Sequence, residues 1–364
     1  MRKLILIVVG TFLGIVAVEA LSSYVLYRYF ALAYKEFRPS GSAAYQLLER
    51  MFVKAQGGYM TVKVTSDRLP LFSADDELGY VLDPGEFNII EAYDHLKHTF
   101  HLQVTPDRRR ATSYIPVHAS HRLFFTGDSA VFGWGLNDEE TIPWLLQSHL
   151  PNDEVINLSL TSYSAVHTLL QLKHVRPQLG ADDAVVLMYH PLTNDFDVAA
   201  TGMLKGLSVG YELQLGEAKG LKAIKVPFGA LDANGNLDIR RVELSCATPG
   251  ASPACARPTV DAQQAMRVTE RVFDEILALH AGRVVVALIS GRDDDPVIGY
   301  LRSKGVKIAD LRVSDDEPDA HDIMVTDNHS GPFQQYLLFQ RLLAFLRAEN
   351  MVHPASAAPD GLAR

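Results

Sequence analysis

The sequence predicts an α/β body in which helices cover both faces of a mostly parallel β-sheet. Short, continuously apolar segments of strand length occur at 123–125, 184–189 and 284–289. Segments with apolar residues at helical spacing lie among them, most clearly at 263–280 and 332–349. Strands that are apolar throughout are typical of a parallel sheet buried on both faces, so this alternation predicts a three-layer α/β/α sandwich.

The composition sets aside several other classes of protein. The chain has 364 residues, of which 48% are hydrophobic and 21% charged, so it can fill a globular core. Its formal net charge of −9 argues against a nucleic-acid-binding surface, because phosphate neutralisation needs clustered Lys and Arg. The 2 cysteines are too few for a disulfide scaffold or a Cys-based zinc site.

The main domain is predicted to span residues 121–350, followed by a flexible tail at 351–364. Its predicted strands lie at 123–125, 155–160, 184–189, 284–289 and 306–311. Its predicted helices lie at 141–150, 165–178, 263–280, 297–304 and 332–349. Each strand therefore has a helix available to cross over to the next strand, as a parallel sheet requires.

A long insertion at 196–260 interrupts this alternation. Within it, the turn sequence Asp-Ala-Asn-Gly-Asn at 232–236 separates two segments with strand character at 223–227 and 237–244, which predicts a β-hairpin. Ligands of α/β proteins bind at the carboxyl ends of the strands, and the insertion follows such an end. It is therefore interpreted as a lid or specificity subdomain, with a surface hairpin of no functional role as the alternative.

The first 30 residues form a separate segment. Arg2 and Lys3 precede an apolar run at 4–27, which is just long enough for a membrane-spanning helix. The positive charges favour a cytoplasmic N-terminus, so the prediction is a single-pass protein of the inner membrane with its body in the periplasm. A cleaved signal peptide, which would release a secreted protein, is the alternative.

Residues 31–120 carry weaker patterns and are interpreted as a stalk with a small lead-in region. The segment 43–54 is compatible with a short helix, 76–85 indicates a strand that enters a turn, and 100–104 alternates in the manner of a strand.

Two cysteines, Cys246 and Cys255, bracket a loop rich in Pro, Gly, Ser and Ala. Cysteines this close in a turn-rich loop can satisfy disulfide geometry, and the bridge would persist in an oxidising compartment. Given the N-terminal segment, a disulfide is the prediction. Two free thiols in a reducing cytosol are the alternative.

A serine and a histidine carry the pattern of nucleophilic chemistry. Ser129 follows the strand at 123–125 in the turn Gly-Asp-Ser, where a hydroxyl and a backbone N–H are both available at the sheet edge. His329 precedes the last helix, and Asp327, two residues earlier, can hold the imidazole through its Nδ1–H while Nε2 takes a proton from a serine.

Two further features belong to the same pattern. Asn194 and Asp195 follow the strand at 184–189, from which an amide N–H can reach the same crevice. A second Asp-x-His pair, Asp319 and His321, has the spacing of the first. The pair that directly precedes the helix is preferred. Each feature alone also fits an ordinary turn, helix cap or loop histidine, but together and in this order they predict a serine-hydrolase site.

Over residues 123–346 the chain resembles the SGNH (GDSL-like) hydrolase superfamily. The resemblance rests on four blocks, at 125–135, 155–164, 194–195 and 327–329. It implies a flavodoxin-like sandwich with Ser129 as nucleophile, His329 as general base and then acid, and Asp327 orienting the imidazole. It further implies an oxyanion hole formed by the Ser129 N–H, the Ser162 N–H and the Asn194 side chain, with no metal and no organic cofactor.

Position 162 departs from the family pattern, because the family has a glycine where this chain has Ser162. A serine still offers its N–H, but it carries an energetic cost for any positive φ that glycine adopts freely. The oxyanion hole is therefore expected to be weaker or shaped differently.

The expected function is that of an extracytoplasmic serine esterase. Its expected substrates are acyl esters, most simply acetyl esters, on envelope or extracellular carbohydrate. One alternative is a polysaccharide O-acyltransferase, in which a sugar hydroxyl replaces water and the partner is polysaccharide-biosynthesis machinery. Another is a non-catalytic binding or assembly module built on the same fold.

Overall fold

The computed structural model describes residues 63–68, 70–93, 96–114, 119, 121–204, 207, 224–244, 260–280, 283–314 and 329–353, together with positions 14 and 18. Three features of the sequence analysis lie outside the described residues. They are the apolar run at 4–27, except for positions 14 and 18, the two cysteines, and Asp327. Within the described part of the chain, no helix combines the length and apolarity needed to cross a membrane.

A five-stranded parallel sheet forms the centre of the body. Its strands are β6 (His121–Thr126), β7 (Asp153–Asn157), β8 (Ala184–Tyr189), β11 (Val284–Leu288) and β12 (Lys307–Asp310). They lie in the order β12-β11-β8-β6-β7, and every neighbouring pair is parallel. The predicted parallel α/β architecture is confirmed, and this strand order is the flavodoxin-like one.

Seven helices with both ends described flank or follow these strands in the main domain. They are α1 (Ser129–Phe132), α2 (Ile142–His149), α3 (Ala165–Val175), α4 (Leu192–Asp197), α5 (Ala262–Leu279), α6 (Pro296–Ser303) and α7 (Pro332–Ala348). The five long helices predicted from periodicity all occur within a few residues of their predicted bounds.

Alternate side chains of each strand enter two separate cores, which makes the body a three-layer sandwich. Phe124 and Leu187 pack with α3, α5 and α6 on one face of the sheet. Phe125 and Val186 pack with α2 and α7 on the other face. Both faces of the sheet are therefore buried, which explains why the strands are apolar throughout.

The region before the main domain forms small antiparallel sheets. Strands β1 (Lys63–Ser66), β4 (Gly85–Tyr93) and β5 (Leu96–Val104) form one sheet, and β2 (Phe72–Asp75) and β3 (Gly79–Leu82) form a hairpin. Their apolar side chains share a core with Phe132, Trp134 and Tyr163 of the main domain. Residues 63–114 are therefore a β layer packed on the body, and the division of 31–120 into a stalk and a small lead-in region stays a prediction.

The predicted hairpin in the insertion is present. Strands β9 (Lys225–Leu231) and β10 (Leu237–Glu243) pair in antiparallel fashion around the turn at 232–236. Val226 and Val242 enter the core shared with the β layer. The hairpin is thus packed on the body, and the lid role of the insertion stays a prediction.

Residues 351–353, where the flexible tail was expected to begin, are packed on the body. Met351 and Val352 are buried in the core beneath α2 and α7. The backbone N–H of His353 donates to Asp153 at 2.9 Å. Residues 351–353 lack helical periodicity, but their apolar side chains still fill the core, so the C-terminal segment is attached to the sheet at least as far as His353.

Candidate active site

The turn after β6 places Ser129 at the carboxyl edge of the sheet. Gly127 has φ 148°, and a Cβ there would lie 2.7 Å from Val131, so the turn requires glycine. The Asp128 side chain caps helix α1 by accepting the Ala130 N–H at 3.0 Å. The half-buried Ser129 side chain therefore begins a helix directly beyond a central strand, with its hydroxyl at the point where the strand order reverses.

The structure brings Ser129 and His329 together. The Nε2 atom of His329 lies 2.8 Å from the Ser129 Oγ, although the two residues are 200 positions apart. This is the distance at which an imidazole can take the serine proton. The other candidate histidine, His321, and both candidate aspartates, Asp319 and Asp327, lie outside the described residues.

The loop after β7 approaches the turn that carries Ser129. The Leu160 N–H donates to the Gly127 carbonyl at 3.2 Å, and the Tyr80 hydroxyl donates to the Thr161 carbonyl at 2.6 Å. Ser162 itself has φ 59°, in the left-handed region that favours glycine. The backbone at this position therefore has a conformation that favours glycine, and the serine carries a strain of about 1 kcal/mol.

Asn194 lies in helix α4, just beyond β8, and its side chain is 8% exposed. Its Oδ1 accepts a hydrogen bond from the Tyr189 hydroxyl at 3.3 Å. The same hydroxyl also lies 3.4 Å from Asp295 Oδ1. Asn194 therefore lies at the same sheet edge as Ser129, beyond the neighbouring strand β8.

A second carboxylate–imidazole pair at this edge was not anticipated from the sequence. The Asp128 carboxylate, adjacent to the nucleophile, forms an ion pair with His190 Nε2. His190 directly follows β8, and residues that follow adjacent parallel strands meet at one edge of a sheet. That topological rule is the signal that could have found the pair.

The loop that follows Ser129 is held by a buried arginine. Arg110 is 1% exposed, and its guanidinium donates to the carbonyls of Phe132 at 2.7 Å, Gly133 at 2.8 Å and Leu136 at 2.6 Å. Its Nε donates to Asp138 at 2.7 Å. The β layer therefore supports the nucleophile loop through one charged side chain whose donors are bonded to main-chain oxygens and a carboxylate.

The described residues contain one group with metal-ligand spacing, formed by His121, Asp153 and His353. The Nδ1 of His353 lies 2.7 Å from Asp153, and that of His121 lies 3.3 Å from it. Arg283 donates to His121 Nε2 at 3.1 Å, so the histidine proton must be on Nδ1, facing the carboxylate. The cluster is therefore interpreted as a set of polar contacts that attaches the C-terminal segment to the sheet. It lies at the amino edge of the sheet, where β6 and β7 begin.

Neither a family model nor any curated protein matches the sequence. Among solved structures, the chain is similar to a lipolytic protein of the G-D-S-L family from Veillonella parvula, with 10% identity, TM-score 0.37, and coverage of 62% of this chain and 97% of the other. A putative lipolytic protein of the same family from Desulfitobacterium hafniense shares 13% identity at TM-score 0.35, covering 62% of this chain and 99% of the other.

A third similar structure is an α/β hydrolase enzyme from the metagenome of Lake Arreo, with 11% identity, TM-score 0.36, and coverage of 64% of this chain and 98% of the other. Similarity at this level does not decide the function, which has to be inferred from the site itself.

Proposed function

We propose that the protein is a serine hydrolase that cleaves acyl esters through an acyl-enzyme on Ser129. The observation that carries this proposal is the 2.8 Å contact between the Ser129 Oγ and His329 Nε2. The contact joins a hydroxyl exposed at the switch point of a parallel sheet to a base from the far end of the chain.

The reaction follows from the roles of these two groups. His329 takes the hydroxyl proton while the Ser129 oxygen bonds to the ester carbonyl carbon, which gives a tetrahedral oxyanion. The proton then passes from His329 to the leaving alcohol as the ester C–O bond breaks, and an acyl-serine remains. A water molecule, deprotonated by His329, attacks the acyl-serine and releases the carboxylic acid with Ser129 restored. Asp327 is proposed to orient the imidazole.

The oxyanion is proposed to be stabilised by three donors. They are the backbone N–H groups of Ser129 and Ser162 and the side-chain amide of Asn194. The left-handed backbone of Ser162 in the loop after β7 and the position of Asn194 in α4, directly beyond β8, support this set.

For the substrate, we propose acyl groups, most simply acetyl, on carbohydrate outside the cytoplasm. The apolar run at 4–27 supports a membrane-anchored or exported protein with its body in the periplasm. A polysaccharide O-acyltransferase would use the same acyl-enzyme with a sugar hydroxyl in place of water. The test below separates the two reactions.

Hydrolysis of p-nitrophenyl acetate by the full-length protein in detergent tests the proposal, together with labelling by a fluorophosphonate. Ser129→Ala should abolish labelling and lower kcat/KM by about 10⁴-fold, and His329→Ala should have a similar effect. Ser148→Ala, an exposed serine on α2, is the matched control and should retain both. His321→Ala should also retain both, and loss of labelling in that variant would overturn the assignment of His329.

Added oligosaccharide distinguishes the related reactions. Acyl transfer to the sugar at the expense of acetate release would establish the transferase. Absence of both labelling and hydrolysis in the unmodified protein would instead favour a non-catalytic module.

A further inference from the structure

Beside the proposed nucleophile lies a carboxylate that the hydrolytic steps do not use. Asp128 is 7% exposed, and both of its oxygens are engaged. The Oδ1 atom accepts the Ala130 N–H at 3.0 Å, and the Oδ2 atom contacts His190 Nε2. The carboxylate is therefore fixed at both ends, to the first turn of the nucleophile helix and to the neighbouring strand.

A buried negative charge at this place opposes the chemistry proposed for Ser129. The tetrahedral intermediate carries its own negative charge next to the Asp128–Ser129 peptide, and like charges in a poorly solvated site repel strongly. An unpaired Asp128 would also attract the His329 imidazolium away from the leaving group. A paired Asp128 has much weaker effects of both kinds.

The contact with His190 supplies the pairing charge. Burial by itself would lower the pKa of His190, but the charge of Asp128 and the hydrogen bond to it raise that pKa overall, against a smaller repulsion from His329. Burial would likewise raise the pKa of Asp128, yet His190 keeps it below its ordinary value. The two side chains therefore form an ion pair near neutral pH.

Among the described residues, few charged groups other than Asp128 lie near His190. Asp128 faces it from the turn after β6, and His329 acts on it from the segment before α7. From α4, the Phe196 ring packs edge-on, with its centroid 6.4 Å from that of the imidazole. Among the described charged groups, Asp128 is thus the one that His190 compensates.

We propose that His190 is a positioning residue that holds and neutralises Asp128, so that charge can develop on the substrate oxygen and on His329 without interference. This role rests on the hydrolase function proposed above. His190 acts through Asp128, and no bond to the substrate is assigned to it.

The test separates the effect of the His190 charge from that of its shape. It measures kcat and KM for p-nitrophenyl acetate between pH 5 and pH 9. His190→Gln keeps an amide donor near Asp128 but removes the positive charge, so kcat should fall about tenfold at pH 7 while KM changes less than about twofold. The double variant Asp128→Asn with His190→Gln removes both charges and should recover kcat to within about threefold of the unmodified protein. His149→Gln, an exposed histidine on α2, is the matched control.

The pH profile adds a readout that a purely structural role would not move. In the unmodified protein, kcat should rise as His329 loses its proton and fall again at higher pH as His190 loses its own. His190→Gln should lack the alkaline fall. In Ser129→Ala, NMR of the imidazole should find His190 titrating above the ordinary pKa of about 6.5.

Several outcomes would overturn the proposal. An unmodified protein that hydrolyses the ester, with His190→Gln showing the same kcat and the same alkaline fall, would remove His190 from the mechanism and leave the hydrolase function intact. A double variant slower than both single variants would show that charge compensation is not the role. Failure of the unmodified protein to react would refute the hydrolase function, while the titration of His190 would still test the ion pair.

Discussion

At each edge of the central sheet, histidines lie near a buried aspartate, and the two clusters differ in the other groups that contact these histidines. At the amino edge, Asp153 receives His121 and His353, and Arg283 covers the far side of His121. At the carboxyl edge, His190 pairs with Asp128, and His329 Nε2 lies against the Ser129 hydroxyl.

This difference separates a structural cluster from a site suited to catalysis. At the amino edge the proton positions are determined by fixed partners, and the network ties the C-terminal segment to β7. At the carboxyl edge a half-buried serine retains a movable proton, within reach of a base and next to the switch point of the sheet. Similar residue types thus stabilise the fold at one edge and are poised for reaction at the other.

The largest expected effect on stability comes from replacing Arg110, which supports the loop after Ser129 at the carboxyl edge. Arg110→Met would leave the Asp138 carboxylate and three loop carbonyls without their partner, so the free energy of unfolding should fall by about 4 kcal/mol. Activity should fall by about tenfold as well, because the loop after Ser129 loses its support. Urea unfolding and ester hydrolysis measure the two effects. Arg109→Met, at a half-exposed arginine paired with Asp107, is the control.

Loss of stability in Arg110→Met with unchanged kcat/KM would contradict the proposed coupling. It would mean that the loop after Ser129 retains its geometry without the guanidinium.

A change at the amino edge should lower the stability of the protein without lowering its activity. Asp153→Ala would leave His121 and His353 without their carboxylate, and the free energy of unfolding should fall by about 3 kcal/mol. Because the cluster lies at the opposite edge from Ser129, kcat/KM measured below the unfolding transition should stay within about twofold. Glu154→Ala, on the same strand, is the matched control.

The comparison of the two edges would fail if Asp153→Ala abolished hydrolysis while the unfolding curve stayed unchanged. A catalytic or ligand-binding role of the amino edge would then have to be considered.

Much of the fold could be predicted because the main domain has strong local patterns. Strands β8 and β11 are apolar at every position, and α5 has a clear helical periodicity, so their bounds followed from the sequence. The contact between Ser129 and His329 could be predicted from topology, since functional residues of a parallel sheet gather at its carboxyl edge.

Other features depend on contacts that no local pattern reveals. Arg110 belongs to a run of three arginines, which normally indicates a solvated surface, and only the three carbonyls and Asp138 explain its burial. The strands β4 and β5 alternate weakly, so their packing on the nucleophile loop was missed. His190 had no motif of its own, and its importance became visible only through its contact with Asp128.

A third buried carboxylate, Asp197, behaves in the opposite way to Asp153 and extends the comparison. Burial raises the pKa of Asp197 to about 6, despite hydrogen bonds from Thr269 and the α3 N-terminus. Burial also raises the pKa of Asp153, but hydrogen bonds from His121 and His353 outweigh it and leave that pKa below its ordinary value. Histidine partners thus keep the buried Asp153 carboxyl ionised, whereas a hydroxyl and backbone N–H groups do not outweigh burial at Asp197.

The sign of the resulting pH dependence is testable with Asp197→Asn. The pKa of Asp197 is about 6 in the folded protein, against about 3.9 in the unfolded chain, so the folded protein binds more protons between these two pH values. The contribution of this carboxyl group to stability is therefore lost as pH rises from about 4 to about 6. The free energy of unfolding of the unmodified protein should therefore decline, relative to Asp197→Asn, by on the order of 2 kcal/mol across that window. Urea unfolding of both proteins at pH 4 and pH 7 measures this decline. If the free energy of unfolding changed equally between the two pH values in both proteins, the raised pKa of Asp197 would be contradicted.

The smallest expected effect concerns the strained backbone at Ser162. With φ 59°, Ser162→Gly should relieve strain of about 1 kcal/mol, but the added freedom of glycine in the unfolded chain offsets most of it. The expected gain in the free energy of unfolding is a few tenths of a kcal/mol, with kcat retained or raised because the N–H is kept. Ser162→Val should instead lower both stability and kcat, since a β-branched residue fits the left-handed region poorly. If valine were tolerated as well as glycine, the loop after β7 would not need this conformation, and its N–H would have to be removed from the proposed oxyanion hole.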